Sequence, residues 1–174
     1  MASTPTKLMT VAEWDHIPNP PGGVYELYHG EPVKVAFAKA PHTRGQWQIR
    51  RLLESAAGDA GVVKEEMPFR PVPEYECWAA DVALVSHARW NKDDDWLMGP
   101  PELVVEIISP SNSLRKLRDK ACICLENGTV EFWIVDLRRR EVSVLTPRGE
   151  TVYAAGERIP LYFGGEIAVA EIFR

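Results

Sequence analysis

The chain is poor in the features that mark several common protein classes. Of its 174 residues only three are cysteines, Cys77, Cys122 and Cys124, an odd number without a Cys-x-x-Cys pair. That spacing indicates neither a disulfide framework nor a zinc knuckle, and small buried side chains are expected at all three positions. No stretch approaches the roughly 20 consecutive apolar residues of a membrane span, and the N-terminus has neither the basic start nor the apolar core of a secretion signal. A soluble, cytoplasmic protein is therefore expected. There is no internal repeat and no low-complexity tract. Phosphate loop, dinucleotide fingerprint, serine elbow and His-Glu-x-x-His are all missing, which removes the commonest nucleotide-binding and hydrolase alternatives. A net charge of -5 argues against coating nucleic acid through bulk positive charge.

What is present suits one ordinary globular domain spanning residues 1–174: 45% of residues are apolar and 26% charged, enough for a real core. Thr10 and Glu13 have capping-box spacing and Met9 and Trp14 that of a hydrophobic staple, so a short helix is expected before Pro18. Val24 to Phe37 reads as a hairpin turning at His29-Gly30, with period-two alternation on both sides. After Pro41, the apolar positions Trp47, Ile49, Leu52, Leu53 and Ala56 recur at helical spacing, and Gly58 supplies a stop. Val62 to Arg70 and Trp78 to Val85 read as strands about a turn with Pro71 and Pro73, and Asp93 to Asp95 as a surface loop.

Leu103 to Ile108 is the most apolar strand, patterned for burial on both faces. Ser109 to Ser113 can turn the chain and cap the next helix, whose apolar face is Leu114, Leu117, Ala121, Cys124 and Leu125 and which Gly128 ends. Val130 to Val135 is a further buried strand, paired with Glu141 to Thr146 across the Leu137 to Arg140 turn. Short strands and turns follow. Strand, helix and strand between Leu103 and Val135 favour a parallel pair inside a mixed sheet.

Two acids interrupt apolar strands. Glu106 lies in Leu-Val-Val-Glu-Ile-Ile, and an unpaired buried carboxylate costs several kcal/mol, roughly, even after relaxation, so it needs a cation. A metal ion and a structural Lys or Arg pair both remain open. Asp81 lies in Trp-Ala-Ala-Asp-Val-Ala-Leu-Val. On neighbouring strands the two could hold a hard divalent ion such as Mg²⁺; a strand-end cap is the plainer reading of Asp81. Lys120 sits at the margin of the apolar face of its helix, where its stem can lie on the sheet and its ammonium reach the Glu106 end, to orient water or balance charge on a phosphate. Arg115, Lys116, Arg118 and Lys120, and separately Arg138, Arg139 and Arg140, are basic clusters suited to phosphate or simply to solvent. A glycosidase pair would need an open cleft, and interior strand acids followed by a basic helix suit phosphate better.

Taken in order, Tyr25-Glu26-Leu27 with Gly30-Glu31, His42 opening a helix, Ala80-Asp81-Val82-Ala83, Pro101-Glu102-Leu103-Val104-Val105-Glu106-Ile107-Ile108-Ser109-Pro110-Ser111, Lys120, Gly128 and Glu131-Phe132-Trp133-Ile134-Val135-Asp136 resemble the bacterial Uma-two family. These are restriction-endonuclease-like proteins of the PD-(D/E)xK nuclease superfamily, and the resemblance runs from about Tyr25 to the C-terminus. It implies an α/β (α+β) fold, a restriction-endonuclease-like mixed central sheet flanked by helices, with an N-terminal hairpin. It further implies Asp81 and Glu106 as ligands of Mg²⁺ or Mn²⁺, and Lys120 in the place of the superfamily lysine that usually follows the acid by two residues, where this chain has Ile108. Glu31 and His42 match recurrent family positions and join the candidate catalytic residues. The implied activity is hydrolysis of phosphodiester bonds in nucleic acid, DNA first, with a homodimer expected by analogy for duplex cutting. The alternative is an inactive relative that binds nucleic acid or a protein partner. Lys116 and Cys124 depart from the family pattern, which commonly has an acid four residues before the lysine and a tyrosine four after it.

Overall fold

The structure, a computed structural model, describes residues 7–109 and 113–174. The chain begins with a single helical turn, α1 (Val11–Trp14), in which Thr10 and Glu13 form the reciprocal capping box. β1 (Gly23–Tyr28) and β2 (Glu31–Ala36) follow as an antiparallel hairpin. His29 and Gly30 both turn with positive φ, 52° and 69°, which a tight hairpin of this hand requires. α2 (Ala40–Ala57) comes next, then β3 (Val62–Arg70) and β4 (Trp78–Val85), a two-residue β5 (Leu97–Met98), β6 (Leu103–Ile107), α3 (Leu114–Glu126) and β7 (Glu131–Asp136). β8 (Glu141–Thr146), β9 (Gly149–Ala154), a small pair β10 (Arg158–Pro160) and β11 (Glu166–Ala168), and a last turn α4 (Val169–Ile172) complete the described chain.

Seven strands form one mixed sheet in the order β5-β3-β4-β6-β7-β8-β9. β6 and β7 are the parallel pair that the strand-helix-strand succession requires, with Glu106 opposite Ile134. α2 covers one face, packing Ile49 and Leu53 on Val82, Leu84, Val105 and Trp133. α3 covers the other, packing Leu117, Ala121 and Cys124 with Ala80, Val104, Phe132 and Ile134. This is the mixed sheet flanked by helices expected from the sequence. No helix among the described residues is long and apolar enough to cross a membrane.

Some details differ from the sequence expectation. Trp47 was placed on the apolar face of α2, yet its side chain is 48% exposed and lies beside Arg51, whose guanidinium is 5.0 Å from the ring centre. Gly45, Gln46 and Gln48 are buried beside the expected Ile49 and Leu53, the Gln46 carboxamide bonding Glu66 and Asp81 and the Gln48 carboxamide donating to the Glu171 carbonyl. Leu114 is likewise exposed at the open first turn of α3, and Cys122 is exposed while Cys77 and Cys124 are buried. β6 stops at Ile107, one residue early, and β5 and α4 fall in segments read as loop and tail. Of the turn expected from Ser109 to Ser113, positions 110–112 lie outside the described residues; Ser113 does cap α3, its hydroxyl accepting from the Lys116 amide at 3.1 Å.

Candidate active site

The sheet opens between β4 and β6. Their ladder pairs Leu84 with Leu103, Ala83 with Val104 and Val82 with Val105, and ends there. The next position brings Asp81 opposite Glu106. Instead of continuing the ladder, the Asp81 side chain accepts from the Ile107 amide through Oδ2 at 2.6 Å. A side chain has taken over a backbone partner, so the amide stays satisfied where the strands part.

From the α2 side, His42 Nε2 lies 2.8 Å from Asp81 Oδ1, and the Gln46 carboxamide donates to the same oxygen at 3.2 Å. One turn of helix separates the two, which puts both on one face. Gly45 packs α2 tightly here: a Cβ there would stand 3.2 Å from Ile107 Cδ1 and 3.3 Å from a Leu137 methyl, so those side-chain ends would have to give by a few tenths of an ångström. Burial draws the His42 pKa down, but its bond to Asp81 and the charges of Asp81, Glu66 and Glu106 outweigh it, leaving the imidazole above its ordinary value.

From the α3 side, Lys120 is 3% exposed and its ammonium donates to Glu106 Oε1 at 3.2 Å. The same ammonium reaches both oxygens of Glu26 on β1, at 3.3 and 3.1 Å, and lies 5.1 Å from the Trp78 ring centre. Burial pushes the Glu106 carboxyl well above the usual carboxylate range; Lys120 pulls it back, and the charges of Asp81 and Glu26 add to the rise. Burial works against the Lys120 charge too, but Glu106 and Glu26 together hold it protonated. Lys116 stands farther out, 3.9 Å from Glu26 and 4.8 Å from the Tyr28 ring centre. The Tyr28 hydroxyl bonds Asp119, and His29 bridges Asp119 at 2.8 Å and the buried Glu76 at 3.0 Å. These contacts fasten the hairpin to α3 and so fix Glu26 beside Lys120.

Of the five candidate residues, Asp81, Glu106, Lys120 and His42 are brought together. Glu31 is not: it sits exposed at the start of β2, opposite Tyr28 in the hairpin, and none of the site contacts above involves it. Two residues belong to the constellation that chemistry-by-pattern reading missed. Glu26 alternates with apolar neighbours as an ordinary hairpin charge would, and only the hairpin's docking on α3 makes it a partner of Lys120. Glu66 lies in β3, its carboxylate bonded by the Gln46 carboxamide. Burial raises its pKa, the Gln46 bond opposes this, and the Asp81 charge adds to the rise.

Four carboxylates thus gather here, Glu26 and Glu106 on the Lys120 ammonium and Asp81 and Glu66 on the Gln46 carboxamide, with His42 beside Asp81 and Lys116 farther out. The donors are oxygens, which suits a hard divalent ion. No three of His, Cys, Asp and Glu among the described residues form a ready-made metal cage. Asp81 and Glu106 offer oxygen donors of the kind that Mg²⁺ takes while keeping several of its waters. The basic turn at the end of β7 leaves the sheet at the same end: Asp136 Oδ1 accepts from the Arg138 and Arg139 amides at 2.9 and 3.0 Å, presenting the side chains outward.

Comparison with known proteins bears on this arrangement. The model of the Uma2 family, described as "Putative restriction endonuclease", matches residues 11–168. No curated protein matches. Among solved structures, one described as a putative nuclease belonging to DUF820 from Anabaena variabilis is similar with a TM-score of 0.83 at 18% identity, over 95% of this chain and 97% of that one. At that identity the likeness establishes the fold.

Proposed function

The chain belongs to the Uma2 family of restriction-endonuclease-like proteins, and from that premise we propose that it is a Mg²⁺- or Mn²⁺-dependent endonuclease that hydrolyses phosphodiester bonds of DNA. The observation that carries the reading is the meeting of Asp81 and Glu106 at the point where β4 and β6 part, with Lys120 bonded to Glu106. Asp81 and Glu106 would hold the ion. When bound, such an ion polarises a phosphate and lowers the pKa of a water.

The chain's own groups have separable tasks. His42 and Gln46 orient Asp81 Oδ1 from α2, and the Ile107 amide orients Oδ2, so the carboxylate cannot rotate away. Lys120 keeps positive charge beside Glu106, favouring its ionised, ligating form against burial. In the hydrolysis, water adds to phosphorus, the phosphorus to sugar-oxygen bond breaks, and the leaving oxygen takes up a proton. Arg138 and Arg139, presented at the same end of the sheet, suit the phosphates flanking the cut.

A second reading has an observation of its own. Lys120, Glu26 and Glu106 form a closed buried ion triad, which is also what a structural network in a non-cutting, nucleic-acid-binding or protein-binding relative would look like. The two are separated by cleavage of single- and double-stranded DNA and RNA with Mg²⁺ and Mn²⁺, using wild type, Asp81→Ala, Glu106→Ala and Lys120→Ala. Metal-dependent cutting of DNA by wild type and not by the variants supports the nuclease. Identical behaviour of all four removes it.

A further inference from the structure

Glu66 occupies an improbable backbone. It lies inside a nine-residue strand, yet its φ is 49°, in the left-handed region that a non-glycine residue adopts only at a cost. The β3-β4 ladder pairs Glu65 with Val82 and Met67 with Ala80, so the register is unbroken, but the pair between them, Glu66 with Asp81, is missing. The two strands also change faces there. Val63, Val82 and Leu84 pack under α2, whereas Met67, Phe69, Trp78 and Ala80 pack under α3. A change of face needs an irregular residue, and glycine would supply it without strain. This chain has a glutamate.

The side chain accounts for the choice. Glu66 receives the Gln46 carboxamide, the same group that donates to Asp81 Oδ1 at 3.2 Å and approaches the Asp81 carbonyl at 3.5 Å. One amide nitrogen has two hydrogens, so Glu66 takes one and leaves the other aimed at Asp81. Glu66 is exposed as a residue, but its bond with Gln46 is partly buried and its charge acts on His42 next to Asp81.

We infer that Glu66 is a positioning residue of the cation site, one that acts through Gln46 to fix Asp81 and adds negative charge beside it, and that the strained backbone is retained for this purpose. The inference rests on the reading of Asp81 and Glu106 as cation ligands. Strain kept at a position where an unstrained residue would fold as well is the mark of a functional constraint.

The test uses the full chain, with Mn²⁺ alone as the probe, titrated calorimetrically, and melting temperatures measured without metal. Glu66→Gly is expected to melt no lower than wild type, because it relieves the left-handed strain, and to bind Mn²⁺ about 10-fold more weakly. Glu66→Gln keeps shape and backbone, so it is expected to melt near wild type and to lose affinity as well; a purely structural role would leave its Mn²⁺ binding unmoved. Wild-type Mn²⁺ affinity in either variant, while Asp81→Asn has lost binding, overturns the role of Glu66. A melting temperature of Glu66→Gly clearly below wild type overturns it too, since the glutamate would then be serving the fold. If Asp81→Asn itself binds Mn²⁺ as wild type does, the cation site is the reading that fails.

Discussion

Asp81 and Glu106 face each other where two strands separate, and they are held by different chemistry. Glu106 and its neighbour Glu26 are met by a buried ammonium, so on the α3 side charge answers charge. Asp81 is met by an imidazole, a carboxamide and a backbone amide, with the Glu66 carboxylate close by rather than a lysine. The α3 side is close to electrically complete. The α2 side orients its carboxylate well but leaves its negative charge short of compensation. A cation arriving from solution would thus gain most beside Asp81, and the ion triad on the other side would serve chiefly to hold the fold and to oppose the rise that burial gives the Glu106 pKa.

The largest expected effect comes from unbalancing the complete side. Lys120→Met leaves Glu26 and Glu106 buried without their cation and should cost about 3–5 kcal/mol, read as a loss of roughly 10 °C in melting temperature. Asp81→Asn should reverse the pattern: a stability loss of about 1 kcal/mol, since the His42 ring can change tautomer to accept from the new amide, with cleavage down about 100-fold and no metal-induced rise in melting temperature. If Asp81→Asn proves the more destabilising of the two, the contrast between the sides is wrong.

A pH series sharpens the same contrast. Glu106 is held above the ordinary carboxylate range and His42 above its ordinary value, so protonated forms of both favour the folded state. Their contributions are present below the unfolded values and are lost as pH rises through the folded ones. Without metal, the melting temperature should therefore decline as pH climbs from the ordinary carboxylate range to beyond the ordinary histidine value. On the proposed reading Mg²⁺ would compete with those protons, so any stabilisation it confers should grow over the same interval. In Lys120→Met the growth should begin at higher pH, because the group that pulls Glu106 down is gone. The smallest effect belongs to Lys116→Ala. At 3.9 Å from Glu26 and half-buried, this lysine should contribute no more than about 1 kcal/mol, measured by chemical denaturation.

The sheet and its covering helices were legible because periodicity carries burial: Leu103 to Ile107 and Val130 to Val135 are apolar except for Glu106 and Glu131, and all but Val130 are buried. Lys120 could be placed at the Glu106 end because one helical turn beyond Leu117 and Lys116 leaves it on the sheet-facing margin. Glu26 could not be found in this way, because its role depends on the docking of a hairpin 94 residues away in sequence from Lys120. Glu66 escaped for a different reason. Pattern reading assumes that a strand keeps its faces, and β3 changes them at that residue. Trp47 failed the opposite way, since an aromatic at helical spacing reads as core, whereas this ring lies exposed beside Arg51 of its own helix.

The Ile107 amide, bonded to Asp81 rather than to a strand, has a consequence for how the molecule can be observed. Its proton lies in a short 2.6 Å contact with a carboxylate, which should set its resonance apart from the other amides of the sheet. Any event that draws electron density from Asp81, a proton, a cation or a phosphate arriving with one, should shift that proton along with the His42 and Gln46 protons bonded to the other oxygen. In an isotope-labelled sample, one backbone signal would then serve as a native gauge of occupancy, with no added probe and no need for turnover.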